Sequence, residues 1–327
     1  MASDNPLQGR DLISILDLSA DEMTLIMQTA AEMESRLTKG DYNWLESTML
    51  HRILATLFYE PSTRTRFSFE SAMLRLGGQV ISSADAASTS SAAKGETLAD
   101  TGRMLNGYAD IAVIRNKKDG SADELARGAR IPVINGGDGQ NEHPTQTLLD
   151  LYTLLKEFNL DSLDKLAELR GIALIGDLKR GRTVHSLCLA LARLNVPVYL
   201  VSPESLRMPE HFVAKAIEVA PGYYGYDETD LLADILPKVD VAYMTRVQLE
   251  RVEDEDERAA LEQSPPMILT HELVMATNST LVIMHPLPRV DEITEDVDDL
   301  DGAAYFRQAQ NGLYVRMALL ALLTGVI

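Results

Sequence analysis

Apolar residues in this chain gather into short blocks separated by amphipathic stretches, and that alternation predicts strands that feed helices. Ile53-Leu54-Ala55-Thr56-Leu57-Phe58 is a branched and aromatic run closed by Glu60-Pro61, which predicts a buried strand. Phe69, Ala72, Met73 and Leu76 then recur at helical spacing until Gly77-Gly78 stops them. Residues 98–108 read as a helix, and 111–115 and 131–135 as strands. Over 144–158 a longer helix places Leu148, Leu151, Tyr152, Leu155 and Phe158 on one stripe, a length that suits a spine between two domains. Gly171 to Gly176 opens a second alternation, with a helix at 183–193 and strands at 198–201, 239–244 and 281–284. The pattern fails from 250 to 266, where Glu253-Asp254-Glu255-Asp256-Glu257 and Pro265-Pro266 predict a mobile, solvated loop. The apolar tail from Met317 to Ile327 falls short of the ~20 residues a membrane span needs and reads as a buried closing helix.

Strands alternating with helices along 327 residues imply the α/β class, with two domains, each a mainly parallel sheet flanked by helices. Charge narrows the choice of partner. With 49 acidic residues against 30 basic, the net charge of −19 argues against nucleic acid or an acidic membrane as a partner of the surface as a whole. An anionic small substrate must therefore meet a local cluster of cations. Cys188 is the only cysteine, which excludes an intrachain disulfide and a cysteine-rich metal site and fits a reducing cytoplasm. No basic stretch leading into an apolar core opens the sequence, so no secretory signal is expected, nor is a metal.

The candidate chemistry lies at the ends of the predicted strands. Ser62-Thr63-Arg64-Thr65-Arg66 follows the first strand and opens its helix. Hydroxyls, a guanidinium and the free N–H groups at the positive end of a helix dipole suit a phosphate, the alternative being a plain Ser/Thr cap with two solvated arginines. His143 and Gln146 bring an imidazole and an amide to the start of the long helix. Arginine stands after five predicted strands, as Arg64, Arg115, Arg182, Arg246 and Arg289. In an acidic protein this collects positive charge on one side, at the edge where α/β folds bind small molecules; piecemeal balancing of acidic surface is the alternative. Arg182, beside Thr183 and His185, suits a carboxylate. Gly176 to Thr183 spells neither a dinucleotide fingerprint nor a phosphate loop ending in Lys-Ser/Thr, so ATP and NAD are not expected and no cofactor is required.

Several of these segments, in this order, resemble the catalytic chains of the aspartate carbamoyltransferase family. The likeness is carried by Phe58-Tyr59-Glu60-Pro61-Ser62-Thr63-Arg64-Thr65-Arg66, Ser90-Ser91-Ala92-Ala93-Lys94-Gly95-Glu96-Thr97, His143-Pro144-Thr145-Gln146, Met244-Thr245-Arg246-Val247-Gln248 and His285-Pro286-Leu287-Pro288-Arg289. The phosphate segment and His-Pro-x-Gln are shared with ornithine carbamoyltransferases and indicate only the superfamily. Thr-Arg-Val-Gln and His-Pro-Leu-Pro-Arg resemble the aspartate enzymes, and the Cys-Leu-Pro turn of the ornithine enzymes is absent.

The resemblance implies attack of the L-aspartate amine on carbamoyl phosphate, giving N-carbamoyl-L-aspartate and phosphate, an early step of pyrimidine synthesis. It implies a carbamoyl-phosphate-binding domain over residues 1–144 plus 312–327, to which the C-terminal helix returns, and an aspartate-binding domain over 145–311. Ser62, Thr63, Arg64 and Thr65 would clamp the phosphate; Thr65, Arg115 and His143 would donate to the carbonyl oxygen. Gln146 and the carbonyls of Pro286 and Leu287, in the turn closed by Pro288, would accept from the carbamoyl NH₂. Arg182, Arg246 and Gln248 would hold the aspartate carboxylates. Arg64, Thr65, Arg115, His143 and Lys94 would be the catalytic set, with Ser90 and Lys94 supplied by the neighbouring subunit of a homotrimer with shared sites; Lys94 also reaches aspartate. Higher assembly with regulatory or pathway chains stays open. The sequence departs from the familiar pattern at Ala93, where a second lysine often stands, and in the acidic loop after Arg251.

Overall fold

Nine parallel strands in two sheets carry the fold of the computed structural model, which describes residues 5–86, 95–221, 226–229, 231–252, 254–263 and 267–327. Contacts divide the chain into one unit reaching Tyr152 and resuming over Gln310–Ile327, and a second unit over Thr153–Ala309.

In the first unit β1 (Ile53–Phe58), β2 (Gln79–Ser83), β3 (Ile111–Asn116) and β4 (Val133–Asp138) pair in the order β2-β1-β3-β4, all parallel. The apolar runs read from sequence are β1, β3 and β4, where Leu54, Phe58, Ile111, Val113 and Ile134 are buried. β2 has no such signal, because all its residues are exposed or half-buried. Register with β1 recruits it, from Ile53↔Gln79 to Leu57↔Ser83, and polar bonds secure it: Thr56 and Ser82 hydroxyls both donate to Glu70 Oε1. Among the described residues, helices α1 (Ala20–Lys39), α2 (Tyr42–Thr48), α3 (Thr63–Arg75), α4 (Leu98–Leu105), α5 (Ser121–Ala126) and α6 (Pro144–Glu157) accompany this sheet in the chain. The sequence reading passed over α1, although its ends are explicit. Ser19 and Glu22 form a reciprocal capping box, and Gly40, at φ 74°, closes the last turn in a conformation glycine adopts without strain.

In the second unit β5 (Ile172–Ile175), β6 (Val198–Val201), β7 (Tyr226–Thr229), β8 (Val241–Met244) and β9 (Val282–Met284) pair in the order β7-β6-β5-β8-β9, again all parallel. Helices α7 (Arg182–Arg193), α8 (Glu210–Val219), α9 (Leu232–Ile235), α10 (Glu255–Gln263) and α11 (His271–Thr277) belong to it. Ala173, Ile175, Ala242, Met244 and Ile283 form the centre of its core, with Tyr305 packed among them. α10 corrects the loop expected over 250–266 for residues 255–263, while Glu253, Pro265 and Pro266 lie outside the described residues. Its first turn carries Glu255, Asp256 and Glu257, acids that the positive end of a helix dipole favours, and the Glu257 N–H donates to Asp254 Oδ1 at 2.8 Å. Leu261 anchors it against Leu206 and Val252.

The closing helix α12 (Tyr305–Thr324) starts well before the apolar tail that predicted it. From Gln310 onward it belongs to the first unit, as expected of a returning helix. Asn5 Nδ2 donates to Leu322 O at 2.8 Å and Ile327 O at 3.0 Å, and the Gly9 N–H to Leu323 O at 2.9 Å, so the segment of Asn5 and Gly9 is fastened to the end of α12. Among the described residues no helix is long and apolar enough to cross a membrane.

Candidate active site

In the first unit the register Phe58↔Arg115 sets the exit of β1 beside the end of β3. The Tyr59 N–H donates to Arg115 O at 2.8 Å. Arg115 is held in turn: its Nε faces Glu60 Oε2 at 3.3 Å, and its Nη1 donates to Gly136 O, also at 3.3 Å, at the end of β4. Next along the chain, Ser62 is the N-cap of α3 by position, yet its side chain makes no capping hydrogen bond, and the first turn carries no acid. The plain-cap alternative thus fails for Ser62. Thr65 is buried while Thr63 and Arg64 are exposed, so a hydroxyl, a guanidinium and the α3 N-terminus share one corner with Arg115.

The start of α6 is anchored from below. Buried Glu142 accepts from Ser14 Oγ at 2.6 Å and from the Ile15 N–H at 3.0 Å. The His143 carbonyl receives the Gln146 N–H at 2.9 Å and the Thr147 N–H at 3.3 Å, and Thr145 Oγ1 lies 3.5 Å from His143 Nδ1. Gln146 Nε2 donates to Asp150 Oδ1 at 2.8 Å. His143, Gln146 and Asp150 are all buried, so their orientations are set by these bonds and not by solvent.

In the second unit the loops after β5 and β8, neighbours in the sheet, are joined by one carboxylate. Asp177 Oδ1 accepts the Arg180 N–H at 3.0 Å and Oδ2 accepts the Gln248 N–H at 3.1 Å. Burial pushes the Asp177 carboxyl up, against the pull of those N–H groups. The bridge fixes Arg182, buried as the first residue of α7, and the segment of Arg246 and Gln248 along the same sheet edge. Arg246 is poised by Glu250, with Nη1 donating to Oε2 at 2.9 Å and Nη2 to Oε1; this pairing raises the arginine and lowers the carboxyl.

The turn after β9 is organised by His285. Its Nδ1 accepts the Leu287 N–H at 2.7 Å and so carries no proton, while Nε2 lies 2.6 Å from Glu292 Oε1 and donates to it. The His285 N–H donates to Gln308 Oε1 at 2.8 Å. Leu287 takes φ 57°, a left-handed conformation uncommon for a branched side chain, and its bond to His285 holds it there. Arg289 is engaged by Asp298 and by the Tyr305 hydroxyl at 3.1 Å, so at this strand end piecemeal balancing of acidic charge is what occurs.

The structure thus brings Ser62, Thr63, Arg64, Thr65, Arg115, His143 and Gln146 to strand ends of the first sheet. It brings Arg182, Arg246, Gln248, Pro286, Leu287 and Pro288 to those of the second. Ser90, Ala93 and Lys94 lie outside the described residues. Sequence reasoning missed the acids behind the donors: Glu60, Glu142, Asp150, Asp177, Glu250 and Glu292. The one signal was that each lies within a few residues of a motif, which a solvated acid does equally well. Among the described residues no group of His, Cys, Asp and Glu is arranged to hold a metal.

Two consecutive parallel α/β units with arginines, an amide and an imidazole at their strand ends, and no nucleotide-binding loop, define an enzyme class that handles small anions. The chain belongs to the aspartate/ornithine carbamoyltransferase family: residues 10–156 match its carbamoyl-P binding domain and residues 170–323 its Asp/Orn binding domain. It is 50% identical over 321 residues to the aspartate carbamoyltransferase catalytic subunit of Thermococcus kodakarensis, covering 98% of each chain. Among solved structures, the aspartate transcarbamoylase of Trypanosoma cruzi in complex with carbamoyl phosphate and aspartate is 36% identical, with a TM-score of 0.88 and 98% of each chain covered. The catalytic subunit of M. Jannaschii aspartate transcarbamoylase is 45% identical, with a TM-score of 0.81, covering 95% of this chain and 97% of that one.

Proposed function

We propose that the chain transfers the carbamoyl group of carbamoyl phosphate to the amine of L-aspartate, releasing phosphate, as a step of pyrimidine (UMP) biosynthesis in the cytoplasm. The observation that carries this reading is the Asp177 bridge, which joins the Arg182 and Arg246 loops into one carboxylate-seeking edge. Two guanidiniums suit an acceptor with two carboxylates and would repel the cationic side chain of ornithine.

In this reading Ser62, Thr63, Arg64 and Thr65 clamp the phosphate dianion, whose charge grows as the C–O bond breaks. Thr65, Arg115 and His143 donate to the carbonyl oxygen as it becomes an oxyanion. Gln146 and the carbonyls of Pro286 and Leu287 accept from the carbamoyl NH₂, and Pro288 closes their turn. Arg182, Arg246 and Gln248 hold aspartate. The proton leaving the amine passes to the departing phosphate, so no protein base is required. The active unit is a homotrimer in which Ser90 and Lys94 enter the neighbour's site, Lys94 reaching aspartate. The domains are those bounded at residues 144 and 312, and regulatory chains are compatible with the trimer.

Parallel assays of carbamoyl transfer to aspartate and to ornithine test the reading. Turnover with aspartate alone is expected, together with binding of a phosphonate–aspartate bisubstrate analogue far tighter than that of either substrate. No turnover with aspartate, or a preference for ornithine, overturns it.

A further inference from the structure

The orientation of the Gln146 amide is fixed by what lies behind it. Its Nε2 donates to Asp150 Oδ1 at 2.8 Å, one turn further along α6, and Asp150 is fully buried. A carboxylate offers only lone pairs, so the amide must turn its nitrogen toward it. Gln146 Oε1 is left as an acceptor, and no donor among the described residues reaches it.

Asp150 has a cationic neighbour in Arg316 of α12, also buried, whose Nε has no hydrogen-bond partner. The guanidinium stands 5.0 Å from the centre of the Phe69 ring and packs on Gly312, where a Cβ would come within 2.4 Å of Nη1. Burial pushes Arg316 down to about 10, with the charge of Asp150 opposing the fall, so it remains a cation at neutral pH. A buried cation near a buried carboxylate lowers the cost of burying either.

We infer that Asp150 is a positioning residue that presents the Gln146 oxygen as an acceptor and thereby selects a carbamoyl NH₂ over a group of the same shape that cannot donate. This rests on the reading of Gln146 as a partner of the carbamoyl NH₂. Carbamoyl phosphate and acetyl phosphate share a carbonyl and a leaving group and differ in NH₂ against CH₃. An acceptor at Gln146 therefore favours only the first.

Asp150→Asn tests the inference at nearly constant volume. An asparagine can donate as well as accept here, so Gln146 is no longer compelled to turn its nitrogen inward and can flip to set a donor against the carbamoyl NH₂. Calorimetric Kd values for the two anhydrides are expected to show the preference for carbamoyl phosphate falling at least about tenfold, with acetyl phosphate binding little changed. Equal weakening of both ligands, as a general loss of structure would produce, or an unchanged ratio, overturns the inference. Gln146→Met separates the two levels of argument. If that variant keeps the preference, the reading of Gln146 itself fails; if it loses the preference while Asp150→Asn retains it, only the role of Asp150 fails. Should Asp150→Asn not fold, neutron diffraction from the deuterated unaltered enzyme decides: deuterium on the Gln146 atom facing Asp150 supports the inference, and a bare oxygen there refutes it.

Discussion

His285 donates from Nε2 to Glu292 Oε1 across 2.6 Å, and the same imidazole accepts the Leu287 N–H at Nδ1. One acid thereby sets the tautomer of a histidine that in turn sets the carbonyl-bearing turn after β9. Burial alone would raise the Glu292 carboxyl, but the His285 bond and nearby backbone N–H groups hold it below its ordinary 4.5. A depressed carboxyl contributes stability that is present above its unfolded value and is lost as pH falls through the folded one. Below pH 4.5, therefore, Tm should fall more steeply in the native protein than in Glu292→Gln. Glu292→Ala should cost about 1–3 kcal/mol at neutral pH by leaving the imidazole donor unpaired, and should weaken carbamoyl phosphate binding. Thermal melts across pH check both, and parallel acid limbs for Gln and native would refute the assignment.

Arg246 and Glu250 form a pair whose side chains are 27% and 55% exposed, so it contributes at most about 1 kcal/mol to folding. Its value is geometric. Arg246→Lys keeps the charge and loses the planar fork, and kcat/KM for aspartate should fall roughly 10- to 100-fold with Tm nearly unmoved. An unchanged kcat/KM would remove Arg246 from the aspartate site.

Gly176, at the end of β5, has φ 107° and sits so close to β8 that a Cβ would lie 2.2 Å from Thr245 O. Gly176→Ala must displace Thr245 and, one residue on, Arg246. A loss of about 2–4 kcal/mol in urea unfolding is expected, with a raised KM for aspartate in whatever fraction folds. Full stability in this variant would show that the contact relaxes without cost.

His143→Ala should lower kcat roughly 100-fold by removing one donor to the developing oxyanion. The pH–rate profile should keep the limb that belongs to the aspartate amine. Disappearance of that limb with intact substrate affinity would instead make His143 the base.

The strands of the first sheet differ in how far the sequence revealed them. β1 and β3 were legible because a buried parallel strand is an apolar run, whereas β2, Gln79-Val80-Ile81-Ser82-Ser83, is an exposed edge and carries no such mark. The acidic stretch after Arg251 read as loop because its charge implies solvation; the helix α10 forms there because three acids in a first turn meet the helix dipole and Leu261 finds an apolar cluster. The site divides in the same way. Arg64, Arg115, Arg182, Arg246 and Arg289 could be found by their place after apolar runs, whereas the acids that engage three of them, Glu60 at Arg115, Glu250 at Arg246 and Asp298 at Arg289, could not.

Local order of residues was enough to determine the alternation of strand and helix, the α/β class and the donors at the strand ends, since periodicity and helix-start chemistry act within a few residues. Which acid stands behind each donor was decided only by the tertiary fold. Asp177 meets Gln248 across 71 residues because β8 lies beside β5, and the charge of Arg316 comes near Asp150 because the last helix returns to the first unit. A carboxylate looks the same in sequence whether water or a buried amide faces it, and only packing removes the water.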